Sequence, residues 1–385
     1  MSQTKIKRVS YRYFLCSFLC TTKPSNMLFV VSRGDDRVIS DIETAGRSGT
    51  ESAIVEFAAT FRLLGHDVFV LENDGFPPSG RLIDVFIPYF HPNGIQREFL
   101  SSGVCDVSHT VIVPWHQCVG NDTAAWYATI MSFGFRRMVH MFVSEYSRIA
   151  YTSLPNAMGN WPWIVSGNAL PPSFSTPNTQ NTSNTPRPPR WIFHASFERG
   201  GDVACRVLRV VNDRLPEYGG VLHAASYYEK DVERVPSTIV WHGSLTKLKL
   251  RDVLDTCEYF VYPLVLPNGL VHHDTFACCV LEALSRGVIV VTWDVACFED
   301  VYGDAVVRVP PRTGYDAKAA RACDAWFDTE EAVNRLADAV CAIEEDPERK
   351  KRIRDDGIRF SRGREFTWSV KSRTILDALD ALDAR

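Results

Sequence analysis

The stretch HHDTFACCVLEALSRGVIVV, residues 272–291, guides the interpretation of the whole chain. It sets two carboxylates, Asp274 and Glu282, eight residues apart, and the apolar run VIVVT, typical of a buried strand, follows. An α-helix has about 3.6 residues per turn, so a carboxylate in the loop before a helix and one in its first turns can face one ligand. The start of such a helix offers unpaired N–H groups and the positive end of the helix dipole, which suits a phosphate flanked by hydroxyl groups. For an isolated pair at this spacing, an ordinary amphipathic helix with a solvated acid at its cap is the more common arrangement, because acids are frequent at helix starts.

Length and composition place the chain among ordinary globular proteins. Its 385 residues are 45% hydrophobic and 23% charged, and single cores rarely exceed about 250–300 residues, so the length predicts two domains. A formal net charge of −4 gives no electrostatic footprint for a nucleic-acid partner. The eleven cysteines include no C-x-x-C pair, which favours reduced thiols and a cytoplasmic location over a disulfide framework or a zinc site.

The first 26 residues differ from the rest. The run YFLCSFLC follows several basic residues, but it is far shorter than the roughly 20 apolar residues that span a bilayer. We interpret residues 1–26 as a disordered leader or as an extension upstream of a natural start near Met27. No long basic amphipathic helix indicates membrane binding, so we expect membrane contact to be peripheral at most.

Strands and helices alternate through the first half. The run MLFVVS (27–32) predicts a buried parallel strand, and apolar residues recur at helical spacing across residues 53–64. DVFVLE (67–72), VFIPYF (85–90), HTVIVPW (109–115) and WIVSGNAL (163–170) predict further strands. Strand, helix and strand in this order form a βαβ unit, whose crossover is right-handed.

The same alternation returns after a polar segment. Residues 171–190 are rich in Pro, Ser, Thr and Asn and predict a linker. Strands are expected at 190–196, 219–226, 237–243, 259–264, 288–293 and 305–310, a charged helix pair at 329–357 and a last helix near the end. Two α/β sets predict two Rossmann-like domains with parallel sheets facing a central cleft, where ligands sit at the carboxyl ends of the strands. The expected division is 27–170 for the first domain, 191–365 for the second, and 366–385 for a C-terminal helix that can cross back to the first.

From Met27 to its end, the chain resembles the glycosyltransferases of the GT-B fold, in particular the retaining family 4. The match is strongest over VYPLVLPNGLVHHDTFACCVLEALSRGVIVVTWDVACFEDVYGDAVVRVP, which is similar in order to the family's strand, E-x7-E loop, helix and second strand. FHASFERGG (193–201), GRSGTESAIVEF (46–57) and VIVPWHQC (111–118) resemble three further family segments.

The resemblance implies a donor site around residues 274–282. It places Asp274 beside the donor sugar and Glu282 on the ribose hydroxyls, with the backbone N–H groups of Phe276, Ala277 and Cys278 facing the phosphates or the sugar. The chain departs from the family in having Asp, not Glu, at 274, and Ala, where glycine is usual, at 277.

Other predicted site residues come from the remaining segments. Arg199 falls on the family's diphosphate-binding lysine, and His194 stands where an arginine is frequent, which makes it the weaker phosphate partner. Gly49 would let the backbone approach the diphosphate at the start of a helix. His116 matches a histidine near the donor sugar and acceptor, and Gly243 and Ser244 match contacts to the base.

The function that the resemblance implies is retaining glycosyl transfer from a UDP- or GDP-linked sugar to a glycan or another hydroxyl acceptor. His116, Asp274 and Arg199 would serve the reaction, with Arg199 and the helix start stabilising the departing diphosphate. The chain has no D-x-D triplet, so neither a metal nor another cofactor is expected. The alternatives are a nucleotide-sugar epimerase of the same fold and a binding protein that has lost transfer. The oligomeric state, the base, the sugar and the acceptor stay open.

Overall fold

The computed structural model describes residues 26–32, 49–78, 80–88, 94–117, 129–152, 161–175, 188–226, 233, 235–266, 271–311 and 330–383. Residues 1–25 of the predicted leader and 176–187 of the predicted linker lie outside the described residues.

The strands of the first half are all parallel to their neighbours. They are β1 (Leu28–Ser32), β2 (Asp67–Val70), β3 (Val85–Pro88), β4 (Val111–Ile112), β5 (Trp115–His116), β6 (His140–Phe142) and β7 (Trp163–Val165). β1 is buried along its whole length, as the run LFVVS predicted, and the strand order is β2-β1-β3-β4, followed by β5-β6-β7. HTVIVPW was expected to be one strand, but it is split into β4 and β5, because Pro114 has no N–H to donate to a ladder.

The second half forms one six-stranded parallel sheet. Its strands are β8 (Arg190–Phe193), β9 (Val221–Ala224), β10 (Val240–Trp241), β11 (Tyr259–Tyr262), β12 (Ile289–Trp293) and β13 (Val307–Val309). The order β10-β9-β8-β11-β12-β13 is that of a Rossmann sheet. The order reverses between β8 and β11, so a ligand crevice is expected outside their carboxyl ends.

Helices cover these sheets. They are α1 (Gly49–Leu63), α2 (Leu71–Asp74), α3 (Gly94–Ser101), α4 (Glu145–Thr152), α5 (Pro172–Ser175), α6 (Gly201–Arg214), α7 (Lys247–Leu254), α8 (Cys278–Ser285), α9 (Phe298–Val301), α10 (Glu330–Glu344), α11 (Pro347–Ser361) and α12 (Trp368–Asp383). Within the described ranges, no helix is long and apolar enough to cross a membrane.

The chain passes between its halves at two places. Within the segment predicted as a linker, α5 buries Phe174 and packs against α7 and α8. At the end of the chain, α12 packs against α1 of the first half, and Trp368 lies edge-on to Trp115 with ring centroids 6.2 Å apart. The C-terminal helix therefore crosses back, while the domain boundaries at 171 and 190 stay predictions.

Candidate donor-binding cleft

A cleft of about 240 Å³ opens at the reversal point of the second sheet. The turn after β8 brings Arg199, the loop after β11 brings Asp274, and helices α7 and α8 bring Lys247 and Glu282. The first half closes the other side with residues that include Gly49, at the start of α1. The structure therefore brings together residues that the sequence places up to 233 positions apart, counted from Gly49 to Glu282.

Asp274 both caps helix α8 and faces Arg199. Its Oδ1 accepts hydrogen bonds from the N–H groups of Ala277 (2.9 Å) and Phe276 (3.3 Å), while its Oδ2 accepts one from the Tyr262 hydroxyl (3.2 Å). The Arg199 guanidinium lies 3.6 Å from Oδ2. Burial raises the pKa of Asp274, but Arg199, His272 and these two N–H groups outweigh burial and hold the pKa below its ordinary value.

The capping contact corrects the expectation for the backbone N–H groups. Phe276 and Ala277 do not offer theirs to a ligand, because Asp274 takes both. In the described part of the chain, the N–H groups of Cys278 and Cys279, at the positive end of the α8 dipole, have no partner. An aspartate closes this cap, since its short side chain reaches the N–H groups two and three residues ahead.

The start of α8 combines a residue in the left-handed conformation with a close approach of the start of α1. Ala277 has φ 54° and ψ 61°, the left-handed conformation that glycine adopts more readily. Across the cleft, a Cβ on Gly49 would lie 2.9 Å from the Cys278 Cβ and 3.1 Å from its Sγ. The two helix starts therefore approach so closely that only glycine fits at position 49 without a shift.

Glu282 is buried and forms an ion pair that the sequence did not reveal. Its Oε1 accepts a hydrogen bond from the Lys247 Nζ at 2.5 Å, and the two side chains are only 4% and 7% exposed. Lys247 begins α7, which Thr246 caps by accepting a hydrogen bond from the Lys249 N–H. Both charged groups line the cleft.

His194 lines the cleft as a neutral ring. Its Nε2 lies 2.9 Å from the Cys279 carbonyl oxygen, which can only accept, so Nε2 carries the proton. Burial, reinforced by the positive charge of Lys247, lowers the pKa of His194 to about 3. His194 therefore supplies no positive charge at neutral pH, in agreement with its expected weakness as a phosphate partner.

Hydrogen bonds join the two halves along the cleft. Within the first half, Gln117 and Asn168 exchange two hydrogen bonds of 2.7 and 2.9 Å, and Asn168 donates across the cleft to the Cys278 Sγ at 3.4 Å. The Thr275 hydroxyl donates to the Gln117 carbonyl. Further out, the Tyr146 hydroxyl lies 2.7 Å from the His273 Nδ1. The described contacts hold the halves together around the cleft.

Three predicted site residues do not line the cleft in the part of the chain that the structure describes. His116 is buried in the first half, where its Nε2 lies 2.8 Å from the His140 Nδ1, and burial drives its pKa well below the ordinary value. Its neighbour Gln117 lines the cleft instead, because successive side chains of a strand point to opposite faces. The Gly243 carbonyl accepts a hydrogen bond from the Ser226 N–H, and Ser244 is exposed.

Sequence reasoning missed four polar residues that line the cleft, namely Lys247, Gln117, Thr275 and His272. Three of them stand inside segments that carry the resemblance, Gln117 in VIVPWHQC and His272 and Thr275 in HHDTFACC, but the resemblance assigned them no role. Lys247 stands in no such segment, and its position after a strand is shared by many loop residues. Within the described ranges, no group of three or more His, Cys, Asp or Glu side chains could hold a metal ion.

Comparison with known proteins confirms the GT-B fold. No protein-family model matches the chain, and no curated protein matches it in sequence. Several solved structures resemble it over nearly its whole length, among them the following three. AviGT4, a glycosyltransferase involved in avilamycin A biosynthesis, matches with 14% identity and a TM-score of 0.54, covering 94% of this chain and 99% of its own. The sucrose-phosphate synthase of Thermosynechococcus elongatus matches with 11% identity and a TM-score of 0.62 (93% and 100% covered). HepE of Anabaena, solved with UDP-glucose, matches with 11% identity and a TM-score of 0.57 (92% and 100% covered).

Proposed function

We propose that the chain is a retaining, metal-independent glycosyltransferase, which moves a sugar from a UDP- or GDP-linked donor to a glycan or another hydroxyl acceptor. The observation that carries the proposal is the meeting of Arg199, the start of α8 and Glu282 in one cleft at the reversal point of the sheet. A cation, a helix N-terminus and a carboxylate suit the diphosphate and the ribose of a nucleotide.

The departing diphosphate is stabilised from two sides. Arg199 lies in the cleft beside Asp274, and the N–H groups of Cys278 and Cys279 have no partner in the described structure. Negative charge grows on the diphosphate as the sugar leaves, so fixed donors at this position stabilise the transition state more than the bound donor.

Asp274 serves as an acceptor of hydrogen bonds. Its pKa lies below the ordinary value and its oxygens are held by Ala277, Phe276 and Tyr262, so it is ionised and fixed at neutral pH. A carboxylate in this state cannot act as a general acid. In the retaining scheme, the acceptor enters on the face that the leaving phosphate vacates, and a phosphate oxygen takes the proton of the acceptor hydroxyl, so no protein nucleophile is required.

The structural neighbours support the donor class. HepE is described with UDP-glucose, and the pneumococcal O-GlcNAc transferase GtfA, of which 56% is covered, with UDP and GlcNAc. The chain has the same fold as these proteins, which supports the proposal that its cleft binds a nucleotide-sugar. The cytoplasmic location, peripheral membrane contact at most and the absence of any cofactor are parts of the same proposal.

Transfer can be tested with the purified chain, UDP- and GDP-linked hexoses and a set of glycan acceptors, with and without EDTA. Release of the nucleoside diphosphate should rise when an acceptor is present, and NMR of the anomeric proton should show the donor's configuration in the product. Conversion of the donor sugar without acceptor would favour the epimerase, and binding without release would favour a protein that has lost transfer. An inverted product or inhibition by EDTA would contradict the mechanism.

A further inference from the structure

The Tyr262 hydroxyl and the Arg199 guanidinium approach the same oxygen of Asp274. Tyr262 ends β11 and is fully buried, and its hydroxyl lies 3.2 Å from the Asp274 Oδ2. The Arg199 Nη1 lies 3.6 Å from that oxygen. A hydrogen bond between a guanidinium and a carboxylate usually measures about 2.7–2.9 Å. The two opposite charges therefore face each other at a distance that is longer than a direct hydrogen bond.

Packing holds the Tyr262 ring in place. It stacks on Phe260 with ring centroids 5.0 Å apart and lies edge-on to Phe298 at 6.3 Å. The Thr292 hydroxyl donates to the Tyr262 carbonyl at 2.7 Å. Close packing on several sides leaves a side chain little room to move, so the hydroxyl keeps a fixed position beside Asp274.

Arg199 is carried by a turn that packs against the residue after Tyr262. The turn Phe197–Arg199 is followed by Gly200, which has φ 108°, and a Cβ at Gly200 would lie 3.2–3.3 Å from the Pro263 ring. The backbone of the turn is therefore close to the end of β11. The Arg199 side chain is 29% exposed, which leaves it freer to move than the buried Tyr262 ring.

The Tyr262 hydroxyl acts as a donor towards Asp274. Burial, followed by the charge of Asp274, raises the pKa of Tyr262 well above its ordinary value, so the hydroxyl keeps its proton at neutral pH. An ionised carboxylate only accepts hydrogen bonds, at about four lone-pair sites. Oδ1 already accepts from two N–H groups at the start of α8 and Oδ2 from Tyr262. Little of the carboxylate is therefore left for a close pair with Arg199.

We propose that Tyr262 is a positioning residue, which keeps Arg199 directed to the ligand by holding the Asp274 Oδ2. Without the hydroxyl, the guanidinium can close onto Oδ2, and Asp274 then neutralises the charge that the ligand meets. Tyr262 is not among the described residues that line the cleft, so it acts through Asp274 and Arg199. The inference rests on the proposed function, in which Arg199 binds the diphosphate of the donor.

The effect can be measured by isothermal titration of four chains with UDP and GDP: the wild type, Tyr262→Phe, Arg199→Ala and the double variant Y262F/R199A. Tyr262→Phe removes the hydroxyl and keeps the ring. It should weaken binding of the nucleoside diphosphate about tenfold or more, the usual effect of losing a hydrogen bond to a charged group. In the Arg199→Ala background the same change should alter the affinity by less than about twofold, because no guanidinium is left to close onto Asp274.

The same strand provides the matched control. Tyr259 is also fully buried in β11, and its hydroxyl donates to the Glu344 Oε1 at 2.6 Å. Tyr259→Phe therefore removes an equivalent hydroxyl and should bind UDP or GDP like the wild type.

Urea unfolding shows whether each variant is folded. Should Tyr262→Phe unfold, the comparison is made in the Asp274→Asn background, because asparagine still caps a helix but brings no charge to Arg199. The double variant Y262F/D274N should then bind like D274N.

A structural role for Tyr262 would give different results. An equal loss of affinity with and without Arg199 would overturn the inference, as would wild-type affinity in Tyr262→Phe or a comparable loss in Tyr259→Phe. In the second background, a further loss from D274N to Y262F/D274N would overturn it. A wild-type chain that binds neither UDP nor GDP would overturn the proposed function itself.

Discussion

Replacing Gly49 by alanine should damage the cleft although it adds a single methyl group. The new Cβ would lie 2.9 Å from the Cys278 Cβ and 3.1 Å from its Sγ. Carbon atoms in good contact lie about 3.5–4.0 Å apart, so one helix start has to move by roughly 0.6 Å or more. Overpacking of this kind costs about 1–3 kcal/mol. Because α1 belongs to the first half and α8 to the second, the shift displaces the N–H groups that we assign to the diphosphate.

The assay is isothermal titration with the nucleoside diphosphate that binds the wild type, accompanied by urea unfolding. Gly49→Ala should bind about tenfold more weakly, because every 1.4 kcal/mol or so is a factor of ten. The double variant G49A/C278G removes both clashing atoms and should recover most of the affinity, with C278G alone as the reference. Wild-type affinity in Gly49→Ala, or a double variant no better than the single one, would refute the reasoning.

Three further predictions concern charge, pH and backbone strain. Arg199→Ala should reduce kcat more than it weakens binding of the unreacted donor, because charge on the diphosphate grows in the transition state; kinetics and donor titration measure this. Burial raises the pKa of Glu56 from 4.5 to about 7, although the positive charge of Lys247 opposes the shift. Glu56 therefore ionises at a lower pH in the unfolded chain than in the folded one, so the folded state loses stability as the pH rises from about 4.5 to 7. Glu56→Gln should therefore match the wild type at pH 4 and be more stable by about 1 kcal/mol at pH 8, after allowance for solvent screening, in denaturant unfolding. Ala277→Gly should leave stability unchanged or higher, since it relieves a left-handed alanine, whereas Ala283→Gly inside α8 should cost about 1 kcal/mol by the same assay.

Each of these three predictions would be contradicted by a specific outcome. Equal losses in kcat and donor binding would make Arg199 a uniform binding residue, and the exposed Arg209 provides the control substitution. A pH-independent difference between Glu56→Gln and the wild type would show that Glu56 titrates normally. If Ala277→Gly lowered the free energy of unfolding as much as Ala283→Gly does, the left-handed conformation would carry no strain.

The alternation of apolar runs and helical periodicity predicted where most strands lie. Runs such as LFVVS and IVVTW are buried at every position and mostly apolar, because parallel strands are covered on both faces. Their ends were less predictable. DVFVLE was expected to continue to residue 72, but β2 ends at Val70, and helix α2 begins at Leu71. Local patterns do not contain the long-range pairing that decides where a strand stops.

Some residues of the candidate site could likewise be predicted from the sequence, and others could not. Arg199, Asp274 and Glu282 could be predicted because they stand in ordered segments that resemble a known family, and they meet in the cleft. The position of the His116 side chain could not be predicted, because neighbouring residues at β5 point to opposite sides. A shift of one residue therefore decides whether a side chain enters the core or the cleft. Lys247 was missed because its role depends on a partner 35 residues away in the sequence.

The most direct test of the account is a thermal-shift titration of the purified chain with UDP, GDP and ADP and their common sugar conjugates, with and without EDTA. A ligand that binds the native state alone raises the melting temperature by mass action. We expect UDP or GDP to give a clear, concentration-dependent rise that EDTA leaves unchanged. No rise with any nucleotide, or a rise that EDTA abolishes, would contradict the claim that this cleft is a metal-independent donor site.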